Sequence, residues 1–421
     1  MQKYASEYGA TVFLGTAAEV TADQIAMALR ALSGDKLKRQ EIAVDRNPDA
    51  YGFSFADESH NLCVKDEKSI LKLAGEKKIK AITSLISEVP LPTIGAVSRQ
   101  LGLPCISQKS IEATTNKYKM REIFKENGIP NPKYAQINIK LNNVLLTAEA
   151  IGFPQVIKPI KQGGQRGLFK VRNKEELKEA LDQLKSTDLD QEIIIEEFLE
   201  GEEINVVGLV IEGRTKALTI SERIKDQYKS FGVVQRHLYP GNYSEETIKA
   251  VEKLVEDIIN AIELKNGLLF PQIIITEKGP MVIEIGVRVP GGIMKELFEY
   301  ATGYDLLDLQ IDFALGEKIE LEKYIKYPSF PAVTVKFLSA DPGPLTSGVV
   351  IEHYGIEEVL KMPGIVKADF FQDSRQKIIK PLKTGADRFF YLVAVGQSRE
   401  EVIEKSDRAE KQIYFTITPP T

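Results

Sequence analysis

The stretch "VIEIGVRVPGG", Val282 to Gly292, carries two patterns at once. Side chains of a strand alternate between faces, so Ile283, Ile285, Val287 and Val289 point one way and Glu284, Gly286 and Arg288 the other. The first set reads as a core face. The second places an anion and a cation on one face, with nothing bulky between them. Either this is an ordinary solvated ion pair, or it is a built site. A carboxylate there suits a hard cation such as Mg²⁺, and an arginine fork suits a phosphoryl group. Just upstream, "LLFPQIIITEKGPM" (268–281) supplies a partner strand, with a turn at Glu277-Lys278-Gly279-Pro280. With an odd number of residues in the connection, Gln272 falls opposite Glu284 on the same face, whereas a two-residue turn breaks that pairing.

The rest of the chain bounds what such a site could serve. A chain of 421 residues is too long for one compact core and implies roughly two to four domains. Hydrophobic residues make up 43%, and no apolar run approaches the length of a bilayer span, so no membrane partner is expected. The N-terminal "MQKYASEYGATVFLG" lacks the long apolar segment and cleavage site of a secretory signal. Two cysteines, Cys63 and Cys105, make neither a disulfide framework nor a zinc cluster, and a reduced, cytoplasmic protein is the expectation. A net charge of −5 leaves no footprint for nucleic acid, and three histidines do not furnish a His-rich metal centre.

Strands and helices alternate from the start. Strands are expected at 10–15, 40–45, 61–66 and 81–85, with helices near 22–33 and at 67–78. That order favours a parallel sheet covered by helices, a first α/β domain over 1–110. A second unit opens with a helix of about three turns beginning at Asn116 and stopped by Gly128 and Pro130. Strands at 153–160 and 192–199 flank a helix at 174–185, and the unit runs to 328, with lobes at 111–200 and 201–328. After the break at Ser329-Phe330-Pro331, a third unit, 329–421, has strands at 332–338 and 389–396, a helix at 398–412 and a closing strand. The fold class expected is multidomain α/β and α+β.

Two further stretches bear chemistry. In "IKPIKQGGQRGLFKV" (157–171), Lys158 leads into a loop containing Gly163, Gly164, Gln165, Arg166 and Gly167. Such a loop can bring backbone N–H groups to phosphate oxygens, although it is neither the P-loop nor the GxGxxG pattern. A mobile turn with a basic rim is the other reading. In "IIIEEFLEGEEINV" (193–206), an apolar strand runs into five glutamates. A solvated acidic rim is one reading. The other has backbone at Glu196–Leu199 on a purine edge and Glu203 on ribose hydroxyls.

Taken in order, these stretches resemble the ATP-grasp superfamily of carboxylate–amine ligases, and within it the bacterial L-amino-acid ligases that make dipeptides. The likeness rests on Asn116, Lys117 and Arg121, then Lys158, then the loop 163–167, then "EEFLEGEE", then Glu284-x-Gly286-x-Arg288 with Gly291 and Gly292 behind it. It spans about 10 to 420, and 331–421 resembles that group's C-terminal domain. It implies ATP with Mg²⁺ or Mn²⁺ as cofactors. Lys117 and Lys158 would hold phosphates, the loop Gly163–Gly167 would close over them, and Glu196, Glu197, Phe198 and Leu199 would line the adenine, with Glu203 on the ribose. Glu284 and Gln272 would hold the metal, and Arg288 would meet the transferring phosphoryl group. His237, Arg223, Gly291 and Gly292 would lie near the substrate, His237 having a structural role as its other reading. The implied partners are a small-molecule carboxylate and amine, amino acids being the expected pair, and a second copy of the chain in a homodimer. The implied reaction forms an amide through an acyl phosphate. The alternatives are a carboxylase or purine-pathway ligase with another acceptor, or a nucleotide-binding relative whose catalysis is reduced or lost. Three departures stand out: Gln272 and Phe270 where relatives carry glutamate and histidine, Gln165 where they commonly carry serine, and Gly286 where many carry a metal-binding asparagine.

Overall fold

The computed structural model describes residues 10–14, 40–54, 56–140, 144–161, 167–187, 191–225, 233–341, 343–371, 378–383 and 385–418. The helix expected near 22–33 lies outside them. The chain begins with a four-stranded sheet of Ala10–Leu14 (β1), Gln40–Asp45 (β2), Glu58–Asn61 (β3) and Ala81–Thr83 (β4) in the order β3-β2-β1-β4. Every pairing in it is parallel, as the alternation implied. Helices Glu67–Lys77 (α1) and Leu91–Leu101 (α2) cover it, with Ile42, Val44, Ile70, Ile82 and Val97 in its core. The strand expected at 61–66 is displaced: β3 ends at Asn61. Asp66 accepts a hydrogen bond from the Ser69 N–H to start α1, which commits the residues between to a turn.

Helices Gln108–Thr115 (α3) and Lys117–Glu126 (α4) follow, capped by the side chains of Ser107 and Asn116. The next unit is an antiparallel sheet of Tyr134–Asn138 (β5), Gln155–Pro159 (β6), Phe169–Val171 (β7) and Glu192–Glu197 (β8), ordered β5-β8-β6-β7. Helices Val144–Ile151 (α5) and Lys174–Lys185 (α6) bury Ile137, Ile157, Leu177, Leu184 and Ile193 against it.

An eight-stranded sheet organises the remainder. It contains Glu202–Ile211 (β9), Arg214–Lys225 (β10), Val234–Tyr239 (β11), Gly267–Thr276 (β12), Gly279–Gly286 (β13), Ala332–Leu338 (β14), Ile365–Phe370 (β16) and Phe390–Gly396 (β18). Their order is β13-β12-β9-β10-β11-β14-β18-β16. The sheet therefore runs unbroken past residue 329, with Tyr239 paired to Val333. Gly348–Tyr354 (β15), Ile378–Ile379 (β17) and Tyr414–Thr418 (β19) form a small separate sheet beside helices Ile356–Leu360 and Arg399–Glu410. One face of the large sheet packs on α4 and on the helix Glu245–Ala261, through Met120, Phe124, Val251 and Ile258. The other packs under helices Met294–Thr302 and Leu306–Leu315, through Val207, Leu209, Leu268 and Phe270. Two residues further along on that second face, Val207 gives way to Asn205 and Phe270 to Gln272, and there the polar site begins. Among the described residues no helix is long and apolar enough to cross a membrane.

Candidate functional site

The register of the β12–β13 hairpin sets the site. Thr276 pairs with Gly279, so the turn holds only Glu277 and Lys278. Yet Gln272 does stand opposite Glu284, because the register shifts after Ile273–Val282 and leaves Ile283 as a bulge. The bulge, not the turn, supplies the extra residue, which corrects the expectation that a two-residue turn breaks the pairing. Gln272 in turn pairs with Asn205 of β9, so Glu284, Gln272 and Asn205 form a row across three strands.

β13 is an edge strand, and its outer polar groups are all the more costly to leave bare. Arg121 donates to the carbonyls of Val282 at 2.6 Å and Ile283 at 3.0 Å. The Thr114 hydroxyl donates to the Ile285 carbonyl and accepts from the Val287 N–H. The helices α3 and α4 thereby fix the strand that carries Glu284.

Cations converge on that carboxylate. Lys117, the first residue of α4 after the Asn116 cap, has its Nζ 3.1 Å from Glu284 Oε1, and its N–H bonds the Ile160 carbonyl just beyond β6. Lys158 Nζ lies 2.8 Å from Glu196 Oε2 and 3.5 Å from the Ile283 carbonyl. Burial pushes the Glu284 carboxyl up, but Lys117, Lys158 and Arg288 outweigh it and hold it below the ordinary carboxylate range. Arg288 pairs with Glu88 through Nη2 and donates to the Val289 carbonyl through Nη1, while its buried Nε makes no hydrogen bond. A methyl on Gly286 would stand 3.3 Å from Glu88 Oε1 and 3.5 Å from Arg288 Cζ, so the glycine is what lets this pair cross the strand face.

Beyond the row lies a second polar group. Arg223 Nη1 donates to Asn205 Oδ1 at 2.8 Å, and Arg223 Nε lies 3.0 Å from Glu203, which Lys225 also contacts. An arginine can only donate, so Asn205 must turn its amide nitrogen to His237 Nδ1, 3.1 Å away. His237 Nδ1 is then the acceptor and Nε2 carries the proton. Burial, with Arg223 and Arg388 nearby, holds the imidazole well below its usual range, so it is neutral. A methyl on Gly292, whose φ is +64°, would lie 4.0 Å from His237 Nε2 and 3.7 Å from Arg388 Nη1. Arg388 donates to the Val234 carbonyl and stacks 4.0 Å over the Phe337 ring. The structure therefore brings His237, Arg223 and Gly292 together, and Gly291 beside them.

The stretch expected to meet a purine is more constrained. The Glu196 side chain is buried against Arg121 and Lys158. The N–H groups of Glu197 and Phe198 bond the carbonyls of Lys133 and Pro154, so these two amides are already spent on the protein. Lys170 Nζ lies 3.4 Å over the Phe198 ring, and Leu199 is half-buried beside it. Glu203 is engaged by two cations. Gly163, Gly164, Gln165 and Arg166 lie outside the described residues, and Gly167, the first described residue after them, has φ +71°.

Residues 151–296, which include Lys158, Glu203, Glu284 and Arg288, match the ATP-grasp domain. The chain carries an ATP-grasp domain. The L-amino acid ligase from Bacillus licheniformis is 20% identical with a TM-score of 0.78, over 97% of this chain and 99% of that one. The biotin carboxylase domain of Hydrogenobacter thermophilus 2-oxoglutarate carboxylase, a dimer solved with MgADP, ADP and bicarbonate, is 19% identical with a TM-score of 0.71, over 98% and 91%. An uncharacterized Sinorhizobium fredii protein, y4rH, is 26% identical over 78% of this chain and 66% of its own length. The chain spans 66%, 61% and 45% of the lengths of the first curated relatives it matches. The ATP-grasp fold is thus mixed α/β and multidomain, as expected, and ATP-grasp ligases are ATP-dependent enzymes that form C–N bonds.

ATP-grasp proteins use ATP with Mg²⁺, and the residues fit such a pair. Mg²⁺ held partly by substrate phosphates needs only one or two carboxylates from the protein. Glu284 would supply one, with the Gln272 amide facing it, and among the described residues no group of three or more His, Cys, Asp or Glu gathers that could hold a metal ion. The partnerless buried Nε of Arg288 and the two lysines suit phosphate oxygens. Three residues that the structure brings to this cluster went unread in the sequence. Glu88 follows β4 in a short loop at the C-terminal end of a parallel strand, which is a signal in its own right. Asn205 interrupts an apolar strand. Arg388 gave no local signal, since it lies just before β18 and is placed by its contacts to Val234 and Phe337, far away in sequence.

Proposed function

We propose that this chain is an ATP-dependent carboxylate–amine ligase that forms an amide or peptide bond through an acyl phosphate. The observation that carries this is the cluster of cations around Glu284, with Lys117 paired to it and Lys158 and Arg288 close by on Glu196 and Glu88, next to Gly292 with His237 and Arg388 beside it. In the first step a carboxylate oxygen attacks the γ-phosphorus, the new P–O bond forms, and the bond to ADP breaks. In the second an amine nitrogen attacks the acyl carbon, the bond to phosphate breaks, and the amine loses a proton.

The protein's part is positioning and charge. Lys117 and Lys158 hold the phosphates. Arg288 meets the charge that develops on the transferring phosphoryl group. Glu284, with Gln272 opposite, holds Mg²⁺, which when bound neutralises phosphate charge. The neutral His237 donates from Nε2 toward the substrate over Gly292, beside Arg388, with Arg223 and Gly291 completing that pocket. Glu203, still paired with Arg223 and Lys225, accepts from a ribose hydroxyl, and the backbone near Leu199 meets the adenine. The carboxylate and amine are taken to be amino acids. The working form is a cytoplasmic homodimer, which light scattering of the purified protein would check.

The test is Mg²⁺-dependent phosphate release from ATP over a matrix of paired amino acids, with mass spectrometry of each responding well. A dipeptide mass that needs both amino acids supports the ligase. ATP turnover that needs bicarbonate and no amine moves the reading to a carboxylase. Nucleotide binding with no turnover under any pairing leaves the third alternative, a binding protein in which the neutral Gln272 has cost catalysis.

A further inference from the structure

The acids of the site are committed in a way that bears on how many metal ions it takes. Glu196 is held by Arg121 and Lys158, Glu203 by Arg223 and Lys225, and Glu88 by Arg288. Glu284 is the acid directly opposite Gln272, and it already faces Lys117. A second divalent ion at Gln272 would meet a neutral amide, not a carboxylate. It would also meet a resident cation. Arg223 is anchored by Glu203 and Asn205, and Asn205 is the cross-strand partner of Gln272. A buried guanidinium thus hangs over the end of the row Glu284–Gln272–Asn205. Burial lowers the Arg223 guanidinium to about 10, and Glu284 acts against that lowering, so the two charges feel one another across the row. At that value Arg223 is charged throughout the neutral range.

We infer that Arg223 supplies the second positive centre beside Glu284, and that the site takes a single divalent cation with each bound nucleotide. An arginine cannot leave and needs no carboxylate from Gln272, so the neutral amide becomes compatible with a working site. This rests on the nucleotide-binding reading of the same residues.

The experiment is a titration of the full chain with Mn²⁺ in the presence of ADP, bound metal being counted by electron paramagnetic resonance and bound ADP by calorimetry. One Mn²⁺ per ADP is expected for the native protein, and two for the Gln272→Glu/Arg223→Met double variant. Two Mn²⁺ per ADP in the native protein would overturn the inference and leave the nucleotide reading intact. One in a double variant that still binds ADP would remove Arg223 from the role. No ADP binding by the native protein, with or without metal, would overturn the nucleotide reading and this inference together. The native count requires no variant, so a double variant that fails to fold does not shelter the inference.

Discussion

Arg121 Nε lies 2.7 Å from Glu196 Oε1, and both side chains are buried. The same guanidinium donates to the carbonyls of Val282 and Ile283, so one side chain joins β8 of the smaller sheet to the edge strand of the larger one. The bulge at Ile283 places those carbonyls there, and the same bulge brings Glu284 opposite Gln272. Position of the site and cohesion of the two sheets thus depend on one arginine.

Replacing it should therefore be costly. Arg121→Met leaves Glu196 buried with only Lys158 and strips two carbonyls of their donor. A loss of about 3–5 kcal/mol in urea unfolding is expected. Arg121→Met combined with Glu196→Gln should cost more than Arg121→Met alone, since Lys158 then lies buried without the carboxylate that pairs with it. A double variant as unstable as the single one would mean that the lost carbonyl bonds, not the charge, dominate.

Glu196 also makes a pH prediction. Burial pushes its carboxyl up, but Arg121 and Lys158 more than cancel this and bring it down to about 2. Its value in the unfolded chain is the ordinary 4.5. Below that value the unfolded chain takes up a proton that the folded chain refuses. The stability contributed by Glu196 is therefore full above about 4.5 and lost as pH falls toward about 2. Urea unfolding from pH 5 to pH 3 should show a shallower fall of stability in Glu196→Gln than in the native protein. Equal slopes would assign the acid sensitivity to other carboxylates.

Much of this was legible in sequence because it is local. The stretch 282–289 reads as one site holding Glu284 and Arg288, but strict alternation fails there, since Ile283 is a bulge, β13 ends at Gly286 and Val289 packs in the opposite core from Ile285 and Val287. The helix read from Asn116 starts at Lys117, with Asn116 as its cap. The helix at 174–185 and the strands at 40–45 and 332–338 fall where periodicity put them. What could not be read was non-local. A bulge depends on what waits at the sheet edge, here Arg121 and Thr114, so turn length alone gave the wrong account of why Gln272 faces Glu284. Glu88 lies some two hundred residues from Arg288 in sequence, a separation no periodicity spans. The displaced strand at Glu58–Asn61 has a related cause: a cap at Asp66 outweighed the apolar run that follows the strand.

His237 offers a direct spectroscopic check. Its Nδ1 accepts from Asn205, it is buried, and Arg223 and Arg388 disfavour its cation. Its ring resonance in an NMR titration should hold its neutral position from pH 8 to pH 5. The unfolded chain does protonate this residue near its ordinary 6.5, so His237 makes the fold less stable as pH drops below that point. A ring that titrates near 6.5 in the folded protein would mean that the Asn205–His237 contact is open to water.

Glu88 and Arg288 give the last prediction, and it separates ground-state binding from turnover. Glu88 neutralises the guanidinium that is proposed to meet the phosphoryl group, and Gly286 leaves just enough room for the two to cross. Removing the acid should raise the positive potential where phosphates sit, so Glu88→Gln should tighten ADP binding by about threefold, less so in high salt. Arg288→Met tests the guanidinium itself. If the arginine acts on charge that develops during transfer, ATP turnover falls by about 10²–10³ while ADP affinity changes little. Calorimetry with ADP and phosphate release from ATP read the two effects independently. Parallel losses in both would make Arg288 a simple phosphate holder, because an interaction equal in ground and transition states cannot raise turnover.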